Sequence, residues 1–278
     1  MDDAELAARE HDNFIAAIGM IARFRPNGIV RHEGGVALLA SGVAMRLFNQ
    51  VLVEDGTATP DAVADAVATM RAGSFRYLVH LRDGVDDAFV PLLAELGLVE
   101  PDPDDAMPGM ALEPITDGAP TPPELDVRHI DDAAGFDDHI RMAALGFGLD
   151  EALIRSFLDL RQLDEPGVRS YVGYVDGEPV ATGVGIVTGR TIGVYNIATI
   201  ESARRRGYGA AMTVRAALDG RAAGCDVAIL QASEMGRPIY ERLGYRTVVR
   251  YRAFVDPEAP PGSAPPGSAP PGLAPPAA

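Results

Sequence analysis

Apolar residues in the opening segment "AELAAREHDNFIAAIGMIARF" recur at steps of three and four, the spacing of one helical face. "VALLASG" and "LFNQVLVEDG" then carry the short apolar runs of buried strands, and "TPDAVADAVATMRAG" predicts a helix that starts at Thr59–Pro60 and stops at Gly73. "FRYLVHL" predicts a strand, "VDDAFVPLLAELG" a helix, and "LVEPDPDDAMPGMALE" an interrupted strand, giving the order α-β-β-α-β-α-β. A second series follows with longer strands. "LDVRHI" is a strand, and "DDAAGFDDHIRMAAL" and "DEALIRSFLDLRQL" are helices entered through aspartates that can cap exposed amides. "VRSYVGYVDGEPVATGVGIVTGRTIGVYNIATI" reads as three strands joined by the turn signals "DGE" and "TGR". A helix from about Arg206 to Ala223, the strand "DVAILQAS", the helix "GRPIYERLG" and the strand "YRTVVRYRAFV" complete the pattern. A meander followed by αβαβ is an α+β arrangement, with helices on a mixed sheet.

Two proline-rich stretches break this periodicity. They divide the chain into a first module (residues 1–112), a linker (113–124), a second module (125–256) and a tail (257–278). The tail repeats "APPGS" and cannot form a core, which predicts a disordered, partly polyproline-like extension.

At 278 residues and 47% hydrophobic, the chain has material for two cores without disulfides or metals. Its single cysteine, Cys225, stands where a helix runs into a buried strand, and packing is its expected role. All 24 basic residues are arginine, so chemistry that needs a lysine is excluded. A formal net charge of −16 argues against general nucleic-acid binding. No basic and apolar leader or long apolar span is present, so a cytoplasmic protein without membrane association is expected. No grouping of Cys, His or carboxylates has metal-ligand spacing.

Against that acidic background, "ARRRGYGAAM" gathers Arg204, Arg205 and Arg206 ahead of Gly207, Tyr208, Gly209 and Ala210, where a strand hands over to a helix. Unpaired amides of a first helical turn, glycines that admit a ligand to the backbone, and arginine charge together make an anion cradle suited to a pyrophosphate.

Arg204-x-x-Gly207-x-Gly209-Ala210, preceded by the strand "VYNIATI", resembles the R/Q-x-x-G-x-G/A signature of the GCN5-related N-acetyltransferases (GNAT). "ASEMGRPIYERLGYRTV" is similar to that family's second conserved block, with Ser233 at the usual Asn position, Gly236 at Ala, and Tyr245 at Phe. The resemblance covers residues 125–255. It implies the acyl-CoA N-acyltransferase fold and acetyl-CoA as cosubstrate, with an acetyl group passed to a primary amine of a small molecule or peptide in a ternary complex. It further implies that the edge Ile197, Ala198, Thr199 and Ile200 holds the pantetheine arm, that residues 204–210 hold the pyrophosphate, and that Ser233 faces the edge across the gap. Tyr240 matches the family tyrosine near the sulfur and would protonate the departing thiolate. The glutamate that some members carry eleven residues before the signature arginine is Gly193 here, so Asn196, with Tyr195, is expected to orient a water that takes the amine's proton.

The first module's central helix starts without glycine or arginine, and Asp61 and Asp65 would oppose a phosphate. The two-module type known among bacterial members then implies a degenerate first copy that shapes the acceptor site. Asp150 and Glu151 are available to attract a cationic amine or to cap a helix. His129 and His139 are expected at the surface, and Glu201 in solvent. A homodimer stays open as the assembly state. The rival classes are a non-catalytic acyl-CoA-binding regulator and an interaction scaffold that works through the tail.

Overall fold

The computed structural model describes residues 1–102, 106–118 and 120–259, and these gather into two compact units that are not consecutive in the chain. Of the described residues, the amino unit comprises 14–102, 106–109 and 249–259, and the carboxyl unit comprises 1–13, 110–118 and 120–248. The sequence, read by its proline-rich breaks, divides the chain consecutively. The structure instead allots the first thirteen residues to the carboxyl unit and the end of the last strand to the amino unit.

In the amino unit, the later part of helix α1 (Asp3–Arg23) precedes strands β1 (Ile29–Glu33), β2 (Val36–Ala40) and β3 (Asn49–Val53), paired antiparallel in that order. Helix α2 (Pro60–Ala72) crosses over to β4 (Leu78–Arg82), which runs parallel to β3 with Val51 opposite Val79. Thr59 caps α2 by accepting the Ala62 amide at 3.2 Å, and Pro60 opens the helix, as the sequence predicts. A short helix α3 (Val90–Glu95) follows, and β5 (Met107–Leu112) passes into the carboxyl unit at Met110. Val63, Val67 and Met70 of α2 pack on Val51, Val79 and Leu81 to make this unit's core.

In the carboxyl unit, β6 (Asp126–Ile130), helices α4 (Ala133–Phe147) and α5 (Glu151–Arg155), and the meander β7 (Val168–Val175), β8 (Glu178–Thr188) and β9 (Thr191–Thr199) come first. Helix α6 (Tyr208–Ala222) crosses to β10 (Val227–Gln231), then α7 (Arg237–Arg242) leads to β11 (Arg246–Val255). The strand order is β5-β10-β9-β8-β7-β6, antiparallel from β6 to β9 and parallel between β9 and β10. Each unit therefore builds a meander, a crossover helix and a parallel strand on a mixed α+β plan. Residues 251–255 of β11 pair antiparallel with β4 in the amino unit, from Tyr251 opposite Arg82 to Val255 opposite Leu78.

Three local differences have physical reasons. β1, "IVRHE", escapes sequence reading because an outer strand with mostly solvent-facing side chains has no apolar run. The helix expected through Leu163 stops at Arg155, because Asp159 captures the Arg161 amide at 2.9 Å and starts a separate 3-10 turn. "VDDAFVPLLAELG" splits into a 3-10 turn and α3, with Pro91 in the first helical turn. Residues 113–118 and 120–124 carry no helix or strand, and residues 260–278 of the tail lie outside the described residues. Among the described residues, no helix is long and apolar enough to cross a membrane.

Candidate functional site

β9 and β10 pair at only three positions, ending with Ile229 opposite Gly193, although β9 continues to Thr199 and β10 to Gln231. Beyond Gly193 the two strands part. β9's other edge stays paired to β8, with Tyr195 opposite Val184 and Ala198 opposite Thr182, and the register slips between them. Asn196 takes up this slip in the left-handed region, at φ 52°. The bulge turns the backbone of Asn196 and Ile197 where the gap opens. Ile197, Ala198 and Thr199 line that edge; the Ile200 amide is already given to the Val180 carbonyl at 3.0 Å.

The turn after β9 leads into α6. Gly207 caps that helix with φ 84°, a conformation that favours glycine, and no side chain caps the first turn. Arg205 is also left-handed, at φ 64°, two residues before Gly207. A Cβ on Gly209 would come no nearer than 3.5 Å to the protein, at Thr199 Oγ1. The protein does not need glycine there; a ligand lying against the backbone would. Arg204 is bound elsewhere: its Nη2 donates to the Gly146 carbonyl at 2.9 Å and its Nε to that of Thr199 at 3.3 Å, so it ties the turn to α4. Arg205 and Arg206 are exposed, as is Glu201. Tyr208 sends its ring into the core, where its hydroxyl donates to Glu124 at 3.0 Å, so only its backbone can face an anion. Ala210 follows in the same first turn.

Past β10, Ser233 Oγ accepts the Gly236 amide at 3.0 Å and sets up α7. Tyr240 on α7 is half-buried, its ring edge-on to Tyr245 at 6.1 Å. Burial pushes the Tyr240 hydroxyl up to about 12, so it holds its proton at neutral pH.

His139 is fully buried, which corrects the expectation of a surface residue; His129 is exposed. The amphipathic face of α4 turns His139 inward, where its Nδ1 meets Thr182 Oγ1, which itself donates to the Tyr171 carbonyl at 2.9 Å. Its Nε2 has no partner, and burial lowers its titration to about 4. Asp150 caps α5 through the Ala152 amide at 2.7 Å, and Glu151 pairs with Arg155 at 2.8 Å. Cys225 is buried, as expected. Among the described residues, no three His, Cys, Asp or Glu side chains are placed to hold a metal ion.

The carboxyl unit also uses α1 residues that sequence reading passed over. Leu6, Glu10 and Asn13 share one face of α1, at i, i+4 and i+7, and all are fully buried. Leu6 packs with Ile229, Glu10 accepts from Gln231 at 2.6 Å, and Asn13 accepts the Tyr195 hydroxyl at 2.7 Å. Two polar residues on an otherwise apolar helical face were the available signal.

Residues 166–247 match the family profile of the acetyltransferase (GNAT) domain. Among solved structures, the chain is similar to a GCN5-related N-acetyltransferase from Kribbella flavida, at 23% identity and TM-score 0.68 over 90% of this chain and 95% of that one. A tandem GNAT protein from the clavulanic acid biosynthesis pathway aligns at 15% identity and TM-score 0.59, over 94% and 97% of the two chains. A GCN5-related N-acetyltransferase from Sphaerobacter thermophilus aligns at 15% identity and TM-score 0.56 over 82% of each chain. No curated protein matches.

Proposed function

The chain carries a GNAT acetyltransferase domain over residues 166–247, and on that premise we propose that it transfers an acetyl group from acetyl-CoA to a primary amine by direct attack in a ternary complex. The observation that carries this reading is the parting of β9 from β10 beside the uncapped first turn of α6. The opened edge of β9 offers backbone partners to an extended arm, and the turn offers amides to a pyrophosphate.

The remaining chemistry falls to a few residues. Amides at the Asn196 bulge polarise the thioester carbonyl. Asn196 orients a water that accepts the proton of the attacking amine. As the new C–N bond forms and the C–S bond breaks, Tyr240 passes its proton to the departing sulfur and recovers one from solvent. A binding-only regulator is the second reading, favoured by Gly193: the strand carries no carboxylate there, and the space is filled by Asn13, whose Oδ1 would lie 2.0 Å from an added Cβ.

Calorimetric titration with acetyl-CoA tests the cofactor half of the proposal, with Gly209→Glu as the variant that blocks the cradle. One site per chain, lost in the variant, supports it; no binding to the wild type sinks it. An amine screen for release of free thiol then separates transfer from binding alone.

A further inference from the structure

The amino unit holds a second concentration of positive charge, away from any motif. Asn49, fully buried at the start of β3, gathers two loops around its amide: its Oδ1 accepts the Ser41 and Gly42 amides, each at 3.0 Å. Its Nδ2 donates to the carbonyls of Val43 at 2.8 Å, Met45 at 3.0 Å and Arg76 at 2.9 Å. Arg46 opens the 3-10 turn that ends against Asn49, and Arg76 is held through its own carbonyl, so one pin fixes both arginines.

Both side chains are half-buried, and the Nε of each is cut off from solvent without a hydrogen-bond partner. Neither guanidinium makes an ion pair or hydrogen bond among the described residues. The carboxylate nearby is already engaged: Asp256 accepts from Arg71 at 2.7 Å, from the Tyr77 hydroxyl at 3.1 Å and from the Glu258 amide at 3.0 Å. Burial and the charge of Arg76 both lower the pKa of Arg46, while Asp256 opposes them less strongly. Two arginines whose buried Nε atoms lack a partner thus lie near enough for one charge to act on the other, in a chain whose acidic residues outnumber its basic ones by 40 to 24. Guanidinium forks match the oxygens of a phosphate group, and a dianion would neutralise both side chains.

We propose that Arg46 and Arg76 form a binding site for a doubly charged oxyanion of the phosphate type, either inorganic phosphate or a phosphate monoester. The site is independent of the acyl-CoA reading.

The test is thermal unfolding of the full chain in the Gly209→Glu background, which removes the α6 cradle as a competing anion site. Sodium phosphate and glycerol 3-phosphate are each compared with sodium chloride at equal ionic strength. Both anions, or phosphate alone, should raise the midpoint; the first result identifies a monoester site and the second a site for the free ion. Arg46→Gln and Arg76→Gln should each abolish the rise, and Arg46→Lys, which keeps the charge without the fork, should weaken it. Arg46→Gln alone decides the matter if Arg76→Gln does not fold. A rise that survives Arg46→Gln is a general salt effect and overturns the proposal, as does the absence of any rise in the parent.

Discussion

The hydroxyl of Tyr195 on β9 donates to Asn13 Oδ1 on α1 at 2.7 Å, joining residues 182 positions apart in the sequence. Asn13 also donates from Nδ2 to the Ile186 carbonyl at 3.0 Å and to Thr188 Oγ1 at 2.7 Å, so one buried amide satisfies three groups on two strands. Gly193 leaves the space that Asn13 and the Tyr195 ring fill. Asn13→Ala removes the acceptor of the Tyr195 hydroxyl and the donor to Ile186 and Thr188, and should cost about 3 kcal/mol in denaturant unfolding. Gly193→Ala should also destabilise, because the added Cβ would meet the Tyr195 ring at 2.4 Å as well as Asn13 Oδ1 at 2.0 Å; in the Asn13→Ala background only the Tyr195 share of that cost should remain, and strictly additive costs would refute this account.

The glycines of the cradle should separate by effect. Gly207→Ala, at φ 84°, is expected to cost about 1 kcal/mol of stability through backbone strain. Gly209→Ala should leave stability within about 0.5 kcal/mol while weakening acetyl-CoA, because the added methyl meets the ligand and not the protein. Equal loss of stability in the two variants would count against a ligand-facing role for Gly209.

Tyr240→Phe keeps the ring against Tyr245 and removes the proton. Transfer should fall about a hundredfold in kcat with little change in acetyl-CoA affinity. Since burial holds the Tyr240 hydroxyl near 12, the wild-type rate should show no alkaline limb from this group between neutral and mildly alkaline pH. A variant that keeps full kcat would remove Tyr240 from the chemistry.

His139 sets a pH dependence on stability. Its titration in the folded protein lies at about 4, below the ordinary value of about 6.5, so the unfolded chain binds a proton first as pH falls. Its neutral form is fully compatible with folding above about 6.5; stability is then lost steadily down to about 4, by about 3 kcal/mol in all. His139→Asn can still donate to Thr182, and it should flatten the midpoint of unfolding across that window. An unchanged pH profile would assign the acid sensitivity elsewhere.

The arginine and glycine turn, the meander and the helix after it are legible in the sequence because each rests on local rules: turn residues between alternating strands, and glycines at a helix start. The exchanged segments are not. Nothing in "YRTVVRYRAFV" distinguishes a strand that pairs throughout with its own module from one whose last residues pair with Leu78–Arg82, since the alternation of side chains is the same. Asn13 and Glu10 are hidden for a related reason, as their partners are set by tertiary packing and not by neighbours in the chain. Arg46 and Arg76, 30 positions apart, come together through the parallel pairing of β3 with β4 and the hydrogen bonds of Asn49, both of them tertiary.

The exchange of termini also bears on how this gene can be cut or shuffled. A fragment beginning at Leu125 would lack the stretch that brings Leu6, Glu10 and Asn13, and one ending at Leu112 would lack the strand that pairs with β4. Neither half is a self-contained module: a recombination breakpoint in the proline-rich linker would leave each product without a terminal segment of the chain that belongs to its own unit.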